Sequence, residues 1–562
     1  MRTLLVLLFT ISLILISCDK KIDDNTKGLM DKSESTELIR EQITQFVPTE
    51  LMYNASILDG RQKVVVEKLY YAAKIMDDIF LDQVYSKNKK IQSQLIAEDS
   101  EKSNQQFELF KIMFGPFDRL EHNKPFIGTE EKPLGANYYP EDMTKEEFEQ
   151  WIKNHPEDEK AFTSEFTVIR RDGDSLIAIP YSEYYKDQLT KAATLLKEAA
   201  EYADNPTLKK YLETRADAFL SNDYFESDMA WMDLKDHTIE VVIGPYEVAE
   251  DGLFNYKAAF ECFLTLKNPI ESRKLDVFKS YLRDMEIHLP IPDEHKNFER
   301  CSESPLAVVN EIFSAGDAKV GVQIIAFNLP NDERVRTAKG SKKVMLKNVL
   351  EAKHKKILMP IAEVVLDPEQ LGYVTFDAFF NHTLMHEMSH GIGPGFININ
   401  GRDSEVKKEL KETYSTLEEC KADILGLYNN IFMIEKGVFP ETFEKETWIT
   451  FLAGTFRTVR FGIHEAHGGG NAIIYNYLLE NSAYEYNEET QKVKVNFEKI
   501  GPALKELANL VLMIQAKGDY QGAKDLIEKY VVNSRSMESM RENLSEIPVD
   551  IKPVYEIEKI YK

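Results

Sequence analysis

The sequence predicts an α+β protein with a mostly helical catalytic part, because helical and strand-like patterns are segregated along the chain rather than alternating. Near the start, Val65, Leu69, Ala72, Met76 and Ile79 recur at three- and four-residue steps, the stripe of a core-facing helix. In the middle, Thr238–Ile243, Ala258–Leu266 and Val320–Phe327 are short β-rich runs. From Phe376 onward the pattern is helical again. At 562 residues the chain exceeds one ordinary core, so two or more lobes are expected.

The first eighteen residues stand apart. Arg2 precedes an apolar run from Leu4 to Ile16, too short to span a membrane comfortably and of the length of a secretory h-region. The run ends in Leu15-Ile16-Ser17-Cys18, which resembles a bacterial lipobox. The expectation is a signal peptide over 1–18, lipidation at Cys18 and a polar tether over 19–27. The protein would be exported and held to the membrane through that lipid alone. The other cysteines, Cys262, Cys301 and Cys420, form no CxxC pair, which argues against a finger-type structural zinc and agrees with a fold that needs no disulfides. A net charge of 69 − 94 = −25 argues against nucleic acid as a partner.

The chain reads as helical from Ser35 to about Leu95, then charged and irregular over 96–160, where five prolines fall. Phe166–Ile169 and Leu176–Ile179 flank Asp172-Gly173 and predict a hairpin. Helices follow over Tyr184–Ala203 and Thr207–Leu220. After the strands, a helix from Phe376 to Ser389 meets the breaker Gly391-Ile392-Gly393-Pro394-Gly395. A second helix is expected from an N-cap near Ser415 to Lys436, with Gly437 as its stop, and a third from Trp448 to His467.

The helix ending at Ser389 carries His386-Glu387-Met388-Ser389-His390. Residues four apart share a helical face, so both imidazoles can reach one Zn²⁺, while Glu387 can take a proton from water without ligating the metal. A pattern with three fixed positions also arises by chance, so the downstream residues decide. A catalytic zinc needs a third protein ligand and an open position. Glu419 and Asp423, in the next helix, share a face; one can ligate while the other hydrogen-bonds a ligand histidine. The alternative is a pair of acidic residues favoured by the dipole at a helix start. His382, one turn before His386, reads as a structural histidine. Glu465-Ala466-His467-Gly468-Gly469-Gly470 reads equally as a close backbone approach and as a plain helix terminus.

These segments resemble the dipeptidyl peptidase III family of zinc metallopeptidases, family M49. Glu418 to Asp423 is similar to that family's Glu-Glu-Cys-Arg-Ala-Glu segment, with Lys421 for Arg and Asp423 for Glu. Asn328-Leu329-Pro330-Asn331 resembles its Asn-x-Pro-Asn element, Ile243-Gly244-Pro245-Tyr246 its tyrosine-bearing segment, and Ala466-His467 its substrate-facing Ala-His. The resemblance covers roughly 240–480 and departs in two places. The family's usual His-Glu segment has six residues; this chain has five, which is closer to the branch described as Nudix-linked and to ordinary zincins. Gly244 stands where members carry a Glu, two residues before the tyrosine, that anchors the substrate amine, and Glu247 directly follows Tyr246. No Nudix box is found in the chain.

The resemblance implies two lobes with a cleft between them. A mixed lobe with a β-barrel-like sheet would comprise 28–264 and 312–357, and a helical zinc lobe 265–311 and 358–562. One Zn²⁺ would be held by His386, His390 and Glu419, with Asp423 and Glu418 behind the ligands and Glu387 as general base. Tyr246 and His467 would stabilise the oxyanion, and Asn328 and Asn331 would hold the N-terminal end of a short peptide. The expected activity is release of dipeptides by a monomer. The rivals are another zinc aminopeptidase or endopeptidase, and an inactive peptide-binding lipoprotein, which would have no chemical need for Glu387.

Overall fold

The computed structural model describes residues 34–298 and 305–561, so the expected signal peptide, Cys18, the tether over 19–27 and Cys301 lie outside the described residues. A long helix, α1 (Gly60–Val84), opens on a capping box between Asp59 and Gln62. Its stripe of Val65, Leu69, Ala72, Met76 and Ile79 is buried, and it packs on the two central strands of the main sheet.

That sheet has five strands: β2 (Ile239–Glu247), β3 (Ala259–Lys267), β4 (Leu306–Gly316), β5 (Ala326–Leu329) and β6 (Lys342–Leu346), in the order β2-β3-β4-β6-β5. The pairs β2–β3, β3–β4 and β6–β5 are antiparallel, and β4–β6 is parallel. β2 and β3 are buried along almost their whole length, which explains their continuous apolar runs. The expected lobe limits at 264/265 and 311/312 fall inside β3 and β4, which pair with one another. At the sheet's outer edge, Lys343 of β6 lies opposite Asn328 of β5.

The helical part contains α3 (Phe376–Ser389), α4 (Tyr414–Glu435), α5 (Phe443–Thr458), α6 (Ala466–Glu480) and α7 (Ile500–Lys517). α3 and α4 pack along each other; α5 covers α3, while α6 and α7 flank α4.

Several expectations differ from the structure. The stretch 96–160 contains helices at Glu101–Met113 and Lys145–Asn154, started by the hydroxyl caps Ser100 and Thr144. All five prolines fall outside them. The run Val320–Phe327 is a strand only from Ala326. Before that, the backbone of Gln323 is occupied elsewhere: its N–H donates to Asp550 at 2.7 Å and its carbonyl accepts from Lys353. The second helix starts at Tyr414, with Ser415 inside its first turn. The expected third helix, Trp448–His467, is two: α5 ends at Thr458, and His467 sits in the first turn of α6. β4 and β6 had no strand signal strong enough to find, since β4 buries Glu311 and Ser314 and β6 opens on two lysines.

Asp550 lies on β7 (Asp550–Val554), which pairs in parallel with β1 (Phe46–Glu50). Its ion pair with Lys353 spans 2.8 Å and is almost wholly buried. Removing one partner of such a pair strands the other charge. Asp550→Ala is therefore expected to destabilise the fold by about 3–5 kcal/mol, read as a lowered urea midpoint. A midpoint within error of wild type would mean that the pair does not clamp the segment at Gln323.

Candidate metal centre

α3 starts where the Thr375 hydroxyl caps the Ala378 N–H and runs through His386. His390, the residue closing the helix, keeps right-handed helical angles, so both histidines share one face and their rings stand 4.8 Å apart. Their Nε2 atoms lie 3.3 and 3.7 Å from Glu419 Oε2 on α4. Taken together, one ligand atom from each of His386, His390 and Glu419 lies within 4.8 Å of the others.

What turns the Nε2 atoms inward is the bonding at Nδ1. His386 Nδ1 meets Asp423 at 2.7 Å, and His390 Nδ1 meets Glu418 at 2.9 Å. Both carboxylates are held in turn. Lys421 and Gln515 reach Glu418 at 2.8 and 3.0 Å, and Asn471 donates to Asp423 at 2.8 Å. His382 Nε2 lies 3.3 Å from the same Asp423 oxygen, so it supports that carboxylate and stands outside the ligand group.

The helices approach closely enough to need glycine at two contacts. A Cβ on Gly426 of α4 would lie 3.2 Å from the His386 nitrogen, and one on Gly470 of α6 only 2.8 Å from that of Cys420. The three glycines after His467 thus begin a helix and let it press against α4 at the turn that presents Glu419.

The donor set fits Zn²⁺: two imidazole nitrogens and a carboxylate from three sequence positions converge. The fit is reinforced by Glu419 Oε2, which is buried among these groups without a well-formed hydrogen bond. Burial opposes charge on His386, but Asp423 and Glu419 outweigh it and raise its pKa to about 10. Burial likewise opposes ionisation of Glu418, while Lys421 and His390 bring it down to about 2.

Glu387 points to the neighbouring lobe. Lys343 Nζ donates to its carboxylate at 2.9 Å and to its backbone carbonyl at 2.7 Å. Burial disfavours the Glu387 charge, yet Lys343 and the two histidines hold its pKa below the usual range. His467 Nδ1 is 3.1 Å from Glu419 Oε2, and that contact raises its pKa. A cavity of about 420 Å³ opens beside this cluster, lined by His386, Glu387 and His467 and, from the other lobe, by Ile324–Ala326.

His386, His390, Glu387, Glu418, Glu419, Asp423 and His467 therefore meet at one place. Tyr246 does not join them. It is buried, its ring lies 5.4 Å from the Arg215 guanidinium, and its carbonyl accepts from Asn331 at 3.0 Å. Asn328 is exposed at the sheet edge. Gly244 has a φ of 151°, and a Cβ there would lie 2.6 Å from Nη1 of the buried Arg215, so a side chain at this position would be strained and would displace that guanidinium. Sequence reasoning missed Lys343, Asn471 and Gln515. Asn471, one helical turn after His467, was discoverable by spacing; a lysine in a strand and a glutamine 96 residues past Glu419 gave no signal.

Residues 159–401 match the sequence profile described as Peptidase family M49. A solved structure of DPP III from Caldithrix abyssi is similar at 66% identity with a TM-score of 0.92, covering 93% of this chain and 100% of that one. That of dipeptidyl-peptidase III from Corallococcus sp. strain EGB is similar at 40% identity with a TM-score of 0.80, covering 94% and 99%. Among curated proteins, Nudix hydrolase 3 of Arabidopsis thaliana is 38% identical over 572 residues, which span 92% of this chain and 74% of that protein.

Two outcomes are expected. Zinc competes with the proton on His386, whose raised pKa keeps it charged up to about pH 10. Binding at neutral pH should release about one proton from it, and affinity should weaken about tenfold per unit as pH falls. Calorimetry in buffers of different ionisation enthalpy counts the proton; none released would contradict the assignment. Gly470→Ala should push α6 off α4 and weaken zinc binding about 10–100-fold, as losses of supporting contacts do. Unchanged affinity would show that the close approach is not needed.

Proposed function

The chain belongs to peptidase family M49 and is a metallopeptidase, and on that premise we propose that it releases dipeptides from the N-terminus of short peptides. The observation that carries the reading is the convergence of His386, His390 and Glu419 beside Glu387, with a cavity next to them lined by His386, Glu387 and His467. These three residues would hold one Zn²⁺. Bound there, zinc supplies a Lewis acid that polarises the scissile carbonyl and acidifies an attacking water.

The chain's own residues do the rest. Glu387 takes the water's proton and delivers it to the leaving nitrogen. Lys343 holds that carboxylate against the sheet, so its orientation is fixed before substrate arrives. His467 offers an N–H to the developing oxyanion, and Tyr246 a hydroxyl once the lobes approach each other around the peptide. Asn328 and Asn331 receive the peptide's N-terminal end, extended along the sheet edge. Asp423 and Glu418 keep the histidine tautomers that present Nε2. The signal peptide over 1–18 and lipidation at Cys18 would place this monomer, membrane-anchored, on the periplasmic or cell-surface side of a bacterial envelope.

A second reading, a zinc peptidase without a strict dipeptide register, is favoured by Gly244, which offers the substrate amine no side chain. Products separate the two. Zinc-loaded protein lacking residues 1–18, incubated with an unblocked pentapeptide, should release the first two residues as a unit; single residues or internal cuts would establish the second reading. Glu387→Ala should lower turnover about 10²–10⁴-fold with zinc still bound. Retained turnover would remove Glu387 from the base role.

A further inference from the structure

A second cavity, of about 490 Å³, shares one residue, Gln323, with the cavity beside the metal centre. Its wall is built from α1, the helix Glu101–Met113, the β1–β7 pair and the Lys319–Gln323 segment. Phe46, Leu81, Phe110, Phe114 and Ile551 give it an apolar lining, and all five are buried. Four lysines, Lys74, Lys111, Lys319 and Lys552, share the wall with Asp77, Asp78 and Glu558. None of these residues belongs to the metal centre.

The carboxylates on that wall are all paired, and one lysine is left over. Asp77 lies 3.1 Å from Lys74 and 3.8 Å from Lys319, and Glu558 lies 3.7 Å from Lys319. Asp78 is paired with Lys89 at 3.5 Å, and Lys552 with Glu108 at 2.9 Å. Lys111 makes no hydrogen bond or ion pair among the described residues; the Phe107 ring, 4.7 Å away, is its aromatic neighbour. Desolvation lowers its pKa, and Lys552 and Lys319 lower it further against the pull of Glu108. Lys111 is exposed, so its ammonium can turn toward an occupant. The space beside it is positive in a chain whose net charge is −25.

We propose that this cavity takes a small organic anion, one acidic group on an apolar body, and that its occupancy is felt at the metal-centre cavity through Gln323. The apolar body lies on the aromatic lining, and the acidic group meets Lys111 in a charge-assisted hydrogen bond. A cationic ligand would meet that same lysine and find no free carboxylate. The occupant touches both β7, at Ile551 to Pro553, and the segment that β7 clamps. Gln323 Nε2 donates to the carbonyls of Lys319 and Gly321 at 3.0 Å each, and the Gly321 N–H donates to the Ile112 carbonyl at 2.9 Å. The next residues, Ile324 to Ala326, line the metal-centre cavity. Any coupling between the two cavities must act equally in both directions. The coupling rests on the peptidase reading above; the anion site does not.

The test is calorimetry on zinc-loaded Glu387→Ala protein with 4-phenylbutyrate, its amide and 4-phenylbutylamine as probes, and with inorganic phosphate as an anion lacking an apolar body. The acid is expected to bind at one site, about tenfold or more tighter than the other three. In Lys111→Met, acid and amide should agree within about twofold. Lys111→Arg should keep the preference and Lys111→Glu should abolish binding of the acid; circular dichroism matched to the parent protein establishes folding. Saturating acid is expected to change the Kd of an unblocked pentapeptide about fivefold or more, and the pentapeptide to change that of the acid by the same factor. Lys111→Glu should lose this effect while binding the pentapeptide as its parent does. Equal binding of acid and amide, phosphate binding as tightly as the acid, acid binding that survives Lys111→Glu, or a pentapeptide Kd indifferent to the acid would each overturn the proposal. A pentapeptide that neither binds here nor is cleaved by the wild-type enzyme would instead defeat the peptidase reading, while the comparison of acid with amide still reads the cavity.

Discussion

The structure depends on carboxylate–imidazole bonding between two helices. α3 contributes His386 and His390, α4 contributes Glu418, Glu419 and Asp423, and four contacts of 2.7–3.7 Å run between them. These groups are costly to desolvate singly, and each offsets the cost for its neighbour only if the helices hold one register. A shift of one residue on α4 would turn Glu419 and Asp423 off the shared face. Gly426 and Gly470 allow the required closeness, and Lys421, Gln515 and Asn471 satisfy the remaining oxygens. The metal ligands are thus arranged by a shell that was assembled to pair charge.

The sheet enters through two lysines. Lys343 joins the edge pair β5–β6 to Glu387, and Lys353 with Asp550 fixes Gln323 at the start of the segment that borders the cavity. Both ties run from one lobe to the residues that face the other. Arg457 lies close enough to this clamp for Asp550 to be the charge that opposes its desolvation. The cavity is therefore bounded by rigid elements on the helical side and by a clamped segment on the sheet side.

How much of this was legible depended on whether the signal was local. The His-Glu-x-x-His pattern, the breaker after it and the stripe on α1 follow from helix periodicity, and their elements form where expected. Glu419 and Asp423 were legible as a pair four apart, and the histidine-to-carboxylate partnering is the chemistry that spacing permits. Strands β4 and β6 were hidden because their buried polar residues are satisfied only by distant segments: Glu311 accepts from Tyr555, and the Glu311 N–H meets Asn348. The same non-locality concealed Lys343, whose partner is 44 residues away. His467 was assigned to the wrong helix because three glycines look like a terminus in sequence, whereas the contacting turn of α4 explains them. The resemblance of short segments to a peptidase family gave Tyr246, Asn328 and Asn331, which periodicity alone would not have singled out.

The central claim is that one zinc is held by His386, His390 and Glu419. Anomalous diffraction at the zinc edge from crystals of zinc-loaded protein tests it most directly. The account predicts a single strong peak about 2.0–2.2 Å from the Nε2 atoms of both histidines and from a Glu419 oxygen. A peak coordinated by His382 or His467 in place of one of these ligands, or no peak at this cluster, would contradict it.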